Sequence, residues 1–231
     1  MRRESITNRD GVAVLLSGGL DSTITLMMVA EKSRSVFPLY IKCGLTWENE
    51  ELEAAKKICN WFDDKVAPLV QIDLPVAPIY GAHWSLTGQK VPSADSPDEA
   101  VFLPGRNLLL LTVAGLWCRQ HGVTRLAIGV LDSNPFADAA EGFFTKLEDL
   151  LNVYGPPEVR IIRPLAGMSK TAIMHWERTL PLEETFSCIA PIDGRHCGRC
   201  NKCAERQRAF QEAGIPDRTL YAFSKIEHGH S

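Results

Sequence analysis

An open, parallel α/β sheet with helices on both faces, followed by a small cysteine-bearing helical module, is the fold class the sequence predicts. Three observations lead there. Short apolar runs alternate with longer amphipathic ones over residues 1–179, as in strands that cross over through helices. The first run, GVAVLL at 11–16, is continuously apolar, which suits a strand buried on both faces. From residue 180 onward the alternation gives way to a segment carrying Cys188, Cys197, Cys200 and Cys203 and closing in a charged helix. The expected organisation is an α/β nucleotide-binding domain at 1–179 and a cysteine-rich module at 180–231.

The elements follow in order. After the strand at 11–16 and Ser17-Gly18-Gly19, residues 21–33 place apolar side chains at helical spacing. A second strand is predicted at 36–43. Residues 49–62 form a helix with Leu52, Ala55 and Ile58 on one face and Glu51, Lys56 and Lys57 off it. A third strand covers 69–74. The stretch 75–104 is polar and rich in Pro, Gly and Ser, and reads as a long loop of the kind that is functional or disordered. A strongly apolar helix at 107–121, a strand at 125–131, a loop at 132–140 and a helix at 142–152 come next. A short strand at 159–163 precedes a helix at 169–179 with Ser169 as its N-cap, and the last helix is expected at 202–213.

Composition narrows the function. The chain has 231 residues, 45% of them hydrophobic and 23% charged, with a net charge of −3. That length buries a sizeable core, and the charge balance lacks the basic footprint of a nucleic-acid binder. The seven cysteines form an odd set, and residues 1–10 carry no apolar signal core. Both argue for reduced, cytoplasmic thiols over a disulfide framework. The longest apolar stretch, 108–118, is about half of the roughly 20 residues that span a bilayer, so no membrane partner is expected.

The segment Ser17-Gly18-Gly19-Leu20-Asp21-Ser22 lies between the first strand and the first helix, where α/β sheets bind ligands. Its glycines let backbone amides approach an anion, and the helix N-terminus adds free N–H groups and a positive dipole end. Ser17 and Ser22 add hydroxyls, and Asp21 is placed to hold Mg²⁺ against phosphate. The lysine of a Walker loop is absent. A plain helix cap is the alternative reading.

Cys188-x8-Cys197-x2-Cys200-x2-Cys203 has metal-ligand spacing. Four thiolates complete a tetrahedral Zn²⁺ site that staples a segment too small to fold around a core of its own. Arg195, Arg199, Lys202 and Arg206 are expected to offset its negative charge. An iron–sulfur cluster and simple buried thiols are the alternatives, whereas Cys43, Cys59 and Cys118 read as core filler.

SGGLDS resembles the signature of the PP-loop ATP pyrophosphatases, which use ATP and release AMP. Together with the cysteine module it resembles the 7-cyano-7-deazaguanine synthase family of queuosine biosynthesis. Further matching stretches are Leu103-Pro104-Gly105-Arg106-Asn107, Ala127-Ile128-Gly129-Val130, Ser187-Cys188, residues 196–206 and the tail 213–221. The resemblance implies an adenine nucleotide α-hydrolase-like (HUP-type) fold and zinc at the four cysteines. It further implies ATP contacts from Leu16, Ser17, Gly18, Gly19, Leu20, Asp21, Ser22, Thr23, Gly105, Arg106 and Asn107. The implied substrates are 7-carboxy-7-deazaguanine, or an analogous small carboxylic acid, and ammonia, in a protein that could be a homodimer. Catalysis of this kind rests on positioning and charge neutralisation, and the candidates are Asp21 with Mg²⁺, Arg106 and Lys170.

Two segments depart from the family pattern. Gly44-Leu45-Thr46-Trp47-Glu48 replaces a Tyr-Gly-Gln-Arg-His-like run, and Phe136-Ala137-Asp138-Ala139-Ala140 replaces a Tyr-Pro-Asp-Cys-Arg-like run. Phe136 and Asp138 keep the aromatic face and the acceptor for a guanine-type N–H edge, but the Arg that would suit a substrate carboxylate is gone. The alternatives are a paralogue acting on another acid or amine, a PP-loop tRNA-modifying enzyme, and a nucleotide-binding module that docks a partner without turnover.

Overall fold

The computed structural model describes residues 11–62, 65–176 and 180–223. Five strands form one sheet: β1 (Val12–Leu15), β2 (Val36–Lys42), β3 (Val70–Asp73), β4 (Arg125–Ala127) and β5 (Arg160–Ile162). All pairings are parallel, in the order β3-β2-β1-β4-β5. Val12 of the central strand pairs with Val36 on one side and Arg125 on the other. The chain builds outward from β1 to β3, then returns to lay β4 on the opposite side of β1. That reversal opens a crevice at the carboxyl ends of β1 and β4, where ligands bind in doubly wound sheets.

The alternation of side chains along β1 divides the core between two faces. Ala13 and Leu15 pack with Leu111, Ala114 and Cys118 of helix α5 (Arg106–His121). Val12, Val14 and Leu16 pack with Leu26 and Val29 of α1 (Leu20–Lys32) and Ala55 and Ile58 of α2 (Glu48–Trp61). The first face also receives Phe144 and Leu147 of α6 (Glu141–Leu151). Helices on both faces, as the alternating pattern predicts, are thus present. Ser169 caps α7 (Lys170–Met174) by accepting from the Ala172 amide at 3.1 Å. Cys43 and Cys118 are buried in the core, and burial pushes their thiols up to about 11 and about 12. Among the described residues no helix is long and apolar enough to cross a membrane.

Four expectations need correcting. The stretch 75–104 is no bare loop: it carries α3 (Ala77–Tyr80), α4 (Trp84–Thr87) and a 3₁₀ turn at Asp98–Val101. Trp84 stacks on Trp47 at 5.6 Å, so the short helices hold on by aromatic burial that polar composition does not reveal. Strand β4 ends at Ala127 rather than continuing to 131. A Cβ at Gly129 would lie 2.6 Å from Thr25 Oγ1 and 2.8 Å from the Asp21 carbonyl, so the chain has already left the sheet to press on α1. On α2 the buried set is Glu51, Ala54, Ala55 and Ile58, with Leu52 only half-buried; the carboxylate lies on the inner face. Helix α7 ends at Met174, where His175 is its C-cap, so it stops short of the expected 179; residues 177–179 and the expected boundary beside them lie outside the described residues.

The cysteine segment shares the core of the sheet. Phe186, Cys188, Ile189, Cys197, Cys200 and Cys203 belong to the same apolar cluster as Leu15 and Leu39. Helix α8 (Asn201–Glu212) sets Ala209 and Phe210 against Leu20 and Ile24 of α1 and Ile173 of α7.

Gly18 makes a close backbone contact at the crevice. Its φ is +80°, and a Cβ there would sit 2.8 Å from both the Glu51 carbonyl and the Ala55 amide nitrogen. Gly18→Ala is expected to combine left-handed strain with overpacking against immovable backbone, at a cost of about 2–3 kcal/mol. A urea titration checks this: the midpoint falls with the slope unchanged.

Candidate active site

The Ser17–Ser22 loop, the expected phosphate loop, follows β1 directly. Gly19 takes the N-cap position of α1 and offers no side-chain cap, so the first-turn amides open toward the crevice with the positive end of the helix dipole. Ser22 Oγ donates to the Gly19 carbonyl at 3.1 Å and lies 3.1 Å from Ser17 Oγ, which fixes both hydroxyls at the rim. From the far side, the Phe186 amide donates to the Gly18 carbonyl at 2.7 Å. The cysteine segment therefore holds the loop directly.

A cavity of about 230 Å³ stands over this loop. Ser17, Gly19, Leu20, Asp21 and Ser22 form its floor; Arg106 comes from α5, Lys170 from α7, Trp47 and Glu51 from α2 and its approach, and Ser187 from the cysteine segment. The three residues expected to act in catalysis, Asp21, Arg106 and Lys170, thus share one cavity. Lys170 Nζ donates to Asp21 Oδ1 at 2.5 Å and lies 3.7 Å from Glu205, which in turn accepts from Lys202 at 2.6 Å. Burial opposes the charge on Lys170, but Asp21 and Glu205 outweigh it and hold the ammonium above the usual lysine range. Burial likewise works against the Glu205 carboxylate, yet Lys202 and Lys170 keep it below the usual range.

Arg106 faces a second charged group. Glu51 is buried and accepts from the Tyr40 hydroxyl at 3.0 Å. Burial raises its carboxyl, with Arg106 pulling the other way. Two donors in this cavity, Arg106 Nε and Ser187 Oγ, are buried without a hydrogen-bond partner. Such groups are rare in folded proteins and point to a ligand that completes them.

The remaining predicted contacts divide. Leu16 and Thr23 are fully buried in the core, so any contact to a ligand would come from their backbones. Gly18, Gly105 and Asn107 lie outside the cavity lining. Phe136 lines an adjoining space. Asp138 accepts from the Asn107 amide at 3.1 Å, and its carbonyl from Asn107 Nδ2 at 3.0 Å; it caps α5. Glu51, Ser187 and Glu205 escaped the sequence reading. The 51, 54, 55, 58 spacing was the available signal for Glu51, since a carboxylate on the apolar stripe of a helix calls for a partner.

The four cysteines of the C-terminal segment converge as the spacing predicts. Their sulfur atoms all lie within 4.8 Å of one another, with Cys188–Cys200 and Cys197–Cys203 at 3.8 Å. A tetrahedral ion with Zn–S bonds of about 2.3 Å has sulfur–sulfur edges of about 3.8 Å, so the residues fit zinc. Amides point at the sulfurs: Ala190 and Cys197 donate to Cys188, Arg199 and Cys200 to Cys197, and Gly198 to Cys203, at 3.3–3.4 Å. Hydrogen bonds from Cys188, Cys200 and Cys203, then the Arg199 amide, hold the Cys197 thiol far below the usual cysteine range. These amides take over much of the charge offset expected of the nearby cations. Arg206 is instead buried against Thr219, Thr185 and the Leu182 carbonyl at 2.7–2.8 Å, Lys202 pairs with Glu205, and Arg199 stacks on Phe223 at 3.6 Å.

Comparison with known proteins adds a family. A family model described as queuosine biosynthesis protein QueC matches residues 11–214. A 7-cyano-7-deazaguanine synthase of a Nitratiruptor species is 32% identical over 217 residues, covering 90% of this chain and 97% of that one. The 7-cyano-7-deazaguanine synthase 1 of Desulfitobacterium hafniense is 30% identical over 208 residues, covering 88% and 92%. Among solved structures, a 4-thiouridine synthetase–RNA complex with bound ATP aligns over 89% of this chain and 50% of that one, with a TM-score of 0.52 at 16% identity. At that identity the likeness concerns the fold.

If the four thiolates hold zinc, purified protein contains one colourless zinc per chain. Removing the metal with a chelator leaves four buried thiols in mutual contact, and the melting temperature is expected to fall by at least 5 °C, about 2 kcal/mol for a chain of this size. Metal analysis with a thermal melt checks this; a brown protein with visible absorption indicates a cluster instead.

Proposed function

Because the chain belongs to the QueC family of queuosine biosynthesis proteins, we propose that it is an ATP-dependent ligase that converts 7-carboxy-7-deazaguanine and ammonia to 7-cyano-7-deazaguanine. The observation that carries the reading is the cavity at the strand-order reversal. There an uncapped helix N-terminus, Arg106, Lys170 and two unpartnered buried donors converge, as binding of a polyphosphate requires.

A carboxylate resists amination because its oxygen leaves poorly. In the proposed first step a carboxylate oxygen attacks the α-phosphorus of ATP, pyrophosphate departs and an acyl adenylate remains. Ammonia then adds to the acyl carbon and AMP leaves, giving the amide. In the second activation the amide oxygen attacks a new ATP, pyrophosphate leaves again, and loss of AMP with a proton yields the nitrile, the oxygen departing on AMP. No protein nucleophile is required.

The chain's own residues bind and orient. The first-turn amides of α1 and the Ser17 and Ser22 hydroxyls would hold the pyrophosphate, and Arg106 Nε and Ser187 Oγ would complete its shell. Lys170 would neutralise charge as it develops on the leaving group. Asp21 has one oxygen committed to Lys170 and the other available to a cation. Mg²⁺ accompanying the nucleotide would supply Lewis-acid stabilisation there. The zinc role is structural, since four protein sulfurs leave no open position. A reduced, cytoplasmic setting suits thiolate ligands.

A second reading, the same adenylation applied to a different planar acid, is favoured by one observation: Asp138, the candidate acceptor for the guanine edge, is engaged as the cap of α5. Incubation with ATP, Mg²⁺, ammonia and 7-carboxy-7-deazaguanine, followed by mass spectrometry, tests the proposal. Amide and nitrile with AMP support it; AMP formation confined to other acids moves the assignment to the second reading. Asp21→Asn and Lys170→Ala are each expected to lower AMP formation by roughly 100-fold or more, and unchanged rates would remove them from the mechanism.

A further inference from the structure

The phosphate cavity has a neighbour. A second space of about 410 Å³ opens beside it, and the two share Asp21, Gly129, Lys170, Lys202 and Glu205 as common wall. Its volume falls within the roughly 300–1,000 Å³ of small-molecule sites. Away from the shared wall its lining includes Asp98, Asn134, Phe136, Arg208 and Glu212. Phe136 leans on Phe102 at 4.7 Å, and the Asn134 side chain accepts from the Phe136 amide at 3.0 Å, so the aromatic ring is held at the wall. The side chains of Asp98 and Arg208 make no hydrogen bond or close ion pair with another described residue, although the Arg208 charge helps to keep Glu205 ionised. The charged groups of the common wall, by contrast, are paired among themselves.

We infer that this second lobe is the acid-substrate site, built for a flat nitrogen heterocycle carrying a carboxylate, with Asp98 and Arg208 reading the ring. The inference rests on the adenylation reading above and adds the residues that select the acid. An acid that attacks the α-phosphorus must approach beside the pyrophosphate site, and this lobe abuts that site at Asp21 and Lys170. Its carboxylate meets the shared lysines. The ring lies against Phe136, where stacking is worth about 1–3 kcal/mol per base in nucleobase sites. Asp98 can accept two N–H groups from one edge of the ring, and Arg208 can donate to a ring carbonyl oxygen. Asp98 thereby takes the part that the family pattern gives to Asp138, which here caps α5, and Arg208 brings back the guanidinium missing from 136–140.

The route to Asp98 is visible. The Asn201 amide donates to the Pro92 carbonyl at 3.0 Å, the Ala94 amide to the Arg199 carbonyl at 2.9 Å, and Asn201 Nδ2 to the Ser96 carbonyl at 2.9 Å. These bonds tie the strand of chain just before Asp98 to the cysteine knuckle.

Steady-state kinetics and calorimetry with a non-hydrolysable ATP analogue test the inference on full-length protein. Acid-dependent AMP release is measured with 7-carboxy-7-deazaguanine and with its analogue lacking the exocyclic amine. Asp98→Asn and Arg208→Met lie on the surface and leave the core untouched; each is expected to raise the KM for the acid at least tenfold while the KM for ATP stays within about twofold. Asp98→Asn should also erase the preference for the amine-bearing acid, a change that general loosening would not produce. Asp95→Asn, an exposed carboxylate of the same segment outside the lobe, should behave as wild type. Turnover by wild type with unchanged KM in both lobe variants overturns the lobe and leaves the proposed function standing. Acid that binds in calorimetry and loses affinity in the variants, yet is never adenylated, overturns the proposed function and leaves the lobe. Acid that neither binds nor turns over overturns both.

Discussion

Four sulfur atoms within 4.8 Å of one another impose the constraint on which the rest of the site depends. As thiolates they would repel, and an ion at the centre together with the amides aimed at Cys188, Cys197 and Cys203 would make the arrangement stable. The amides come from residues 190 and 197–200, so the backbone there has little freedom. Two neighbours inherit that rigidity. Phe186, two residues before the first cysteine, clasps the phosphate loop through Gly18. Arg199 and Asn201, flanking the third cysteine, hold residues 92–96. One knot therefore sets the position of the Ser17–Ser22 loop and of the segment that leads to Asp98.

The sheet imposes a second constraint, by close approach. Gly18 rests on the backbone of α2, and Gly129 on the Thr25 hydroxyl and the Asp21 carbonyl of α1, so the ends of β1 and β4 press closely on two helices. At these distances the loop cannot shift without moving a helix. Preorganisation of this kind matters for a reaction whose catalysis is chiefly charge placement, because dipoles already aligned cost no reorganisation when charge develops.

Elements whose physics is local were legible in the sequence. The strand at 11–16, the loop at 17–22 and the cysteine spacing each state their geometry within a few residues, and the structure reproduces all three. Features that depend on distant partners were not. Glu51 looked solvent-facing because its charge masked its place in the 51, 54, 55, 58 stripe; its partner Tyr40 is on another element. The stretch 75–104 looked like open loop because the groups that order it, Trp47 and the Arg199–Asn201 backbone, lie outside it. Asp138 illustrates the converse. The residue was found, but whether it faces a ligand or the amide of Asn107 is decided by where α5 begins.

The charge pattern of the crevice separates its two lobes. Around the phosphate loop Lys170 is matched to Asp21 and Lys202 to Glu205, while Glu51 shares the field of Arg106. Unmatched charges in a half-buried cleft would carry a desolvation cost with nothing to offset it. Paired in this way, the cleft gains selectivity for a ligand that can satisfy lysine and leave the carboxylate a cation, which is what a magnesium-bearing polyphosphate offers. Asp98 and Arg208 break the pattern. Being exposed, they cost little unpaired, and they remain available for a neutral ring edge with both donors and an acceptor. A net charge of −3 thus conceals two environments. On the proposed function, the inner one suits a charged nucleotide and the outer one the hydrogen-bonding edge of a small acid.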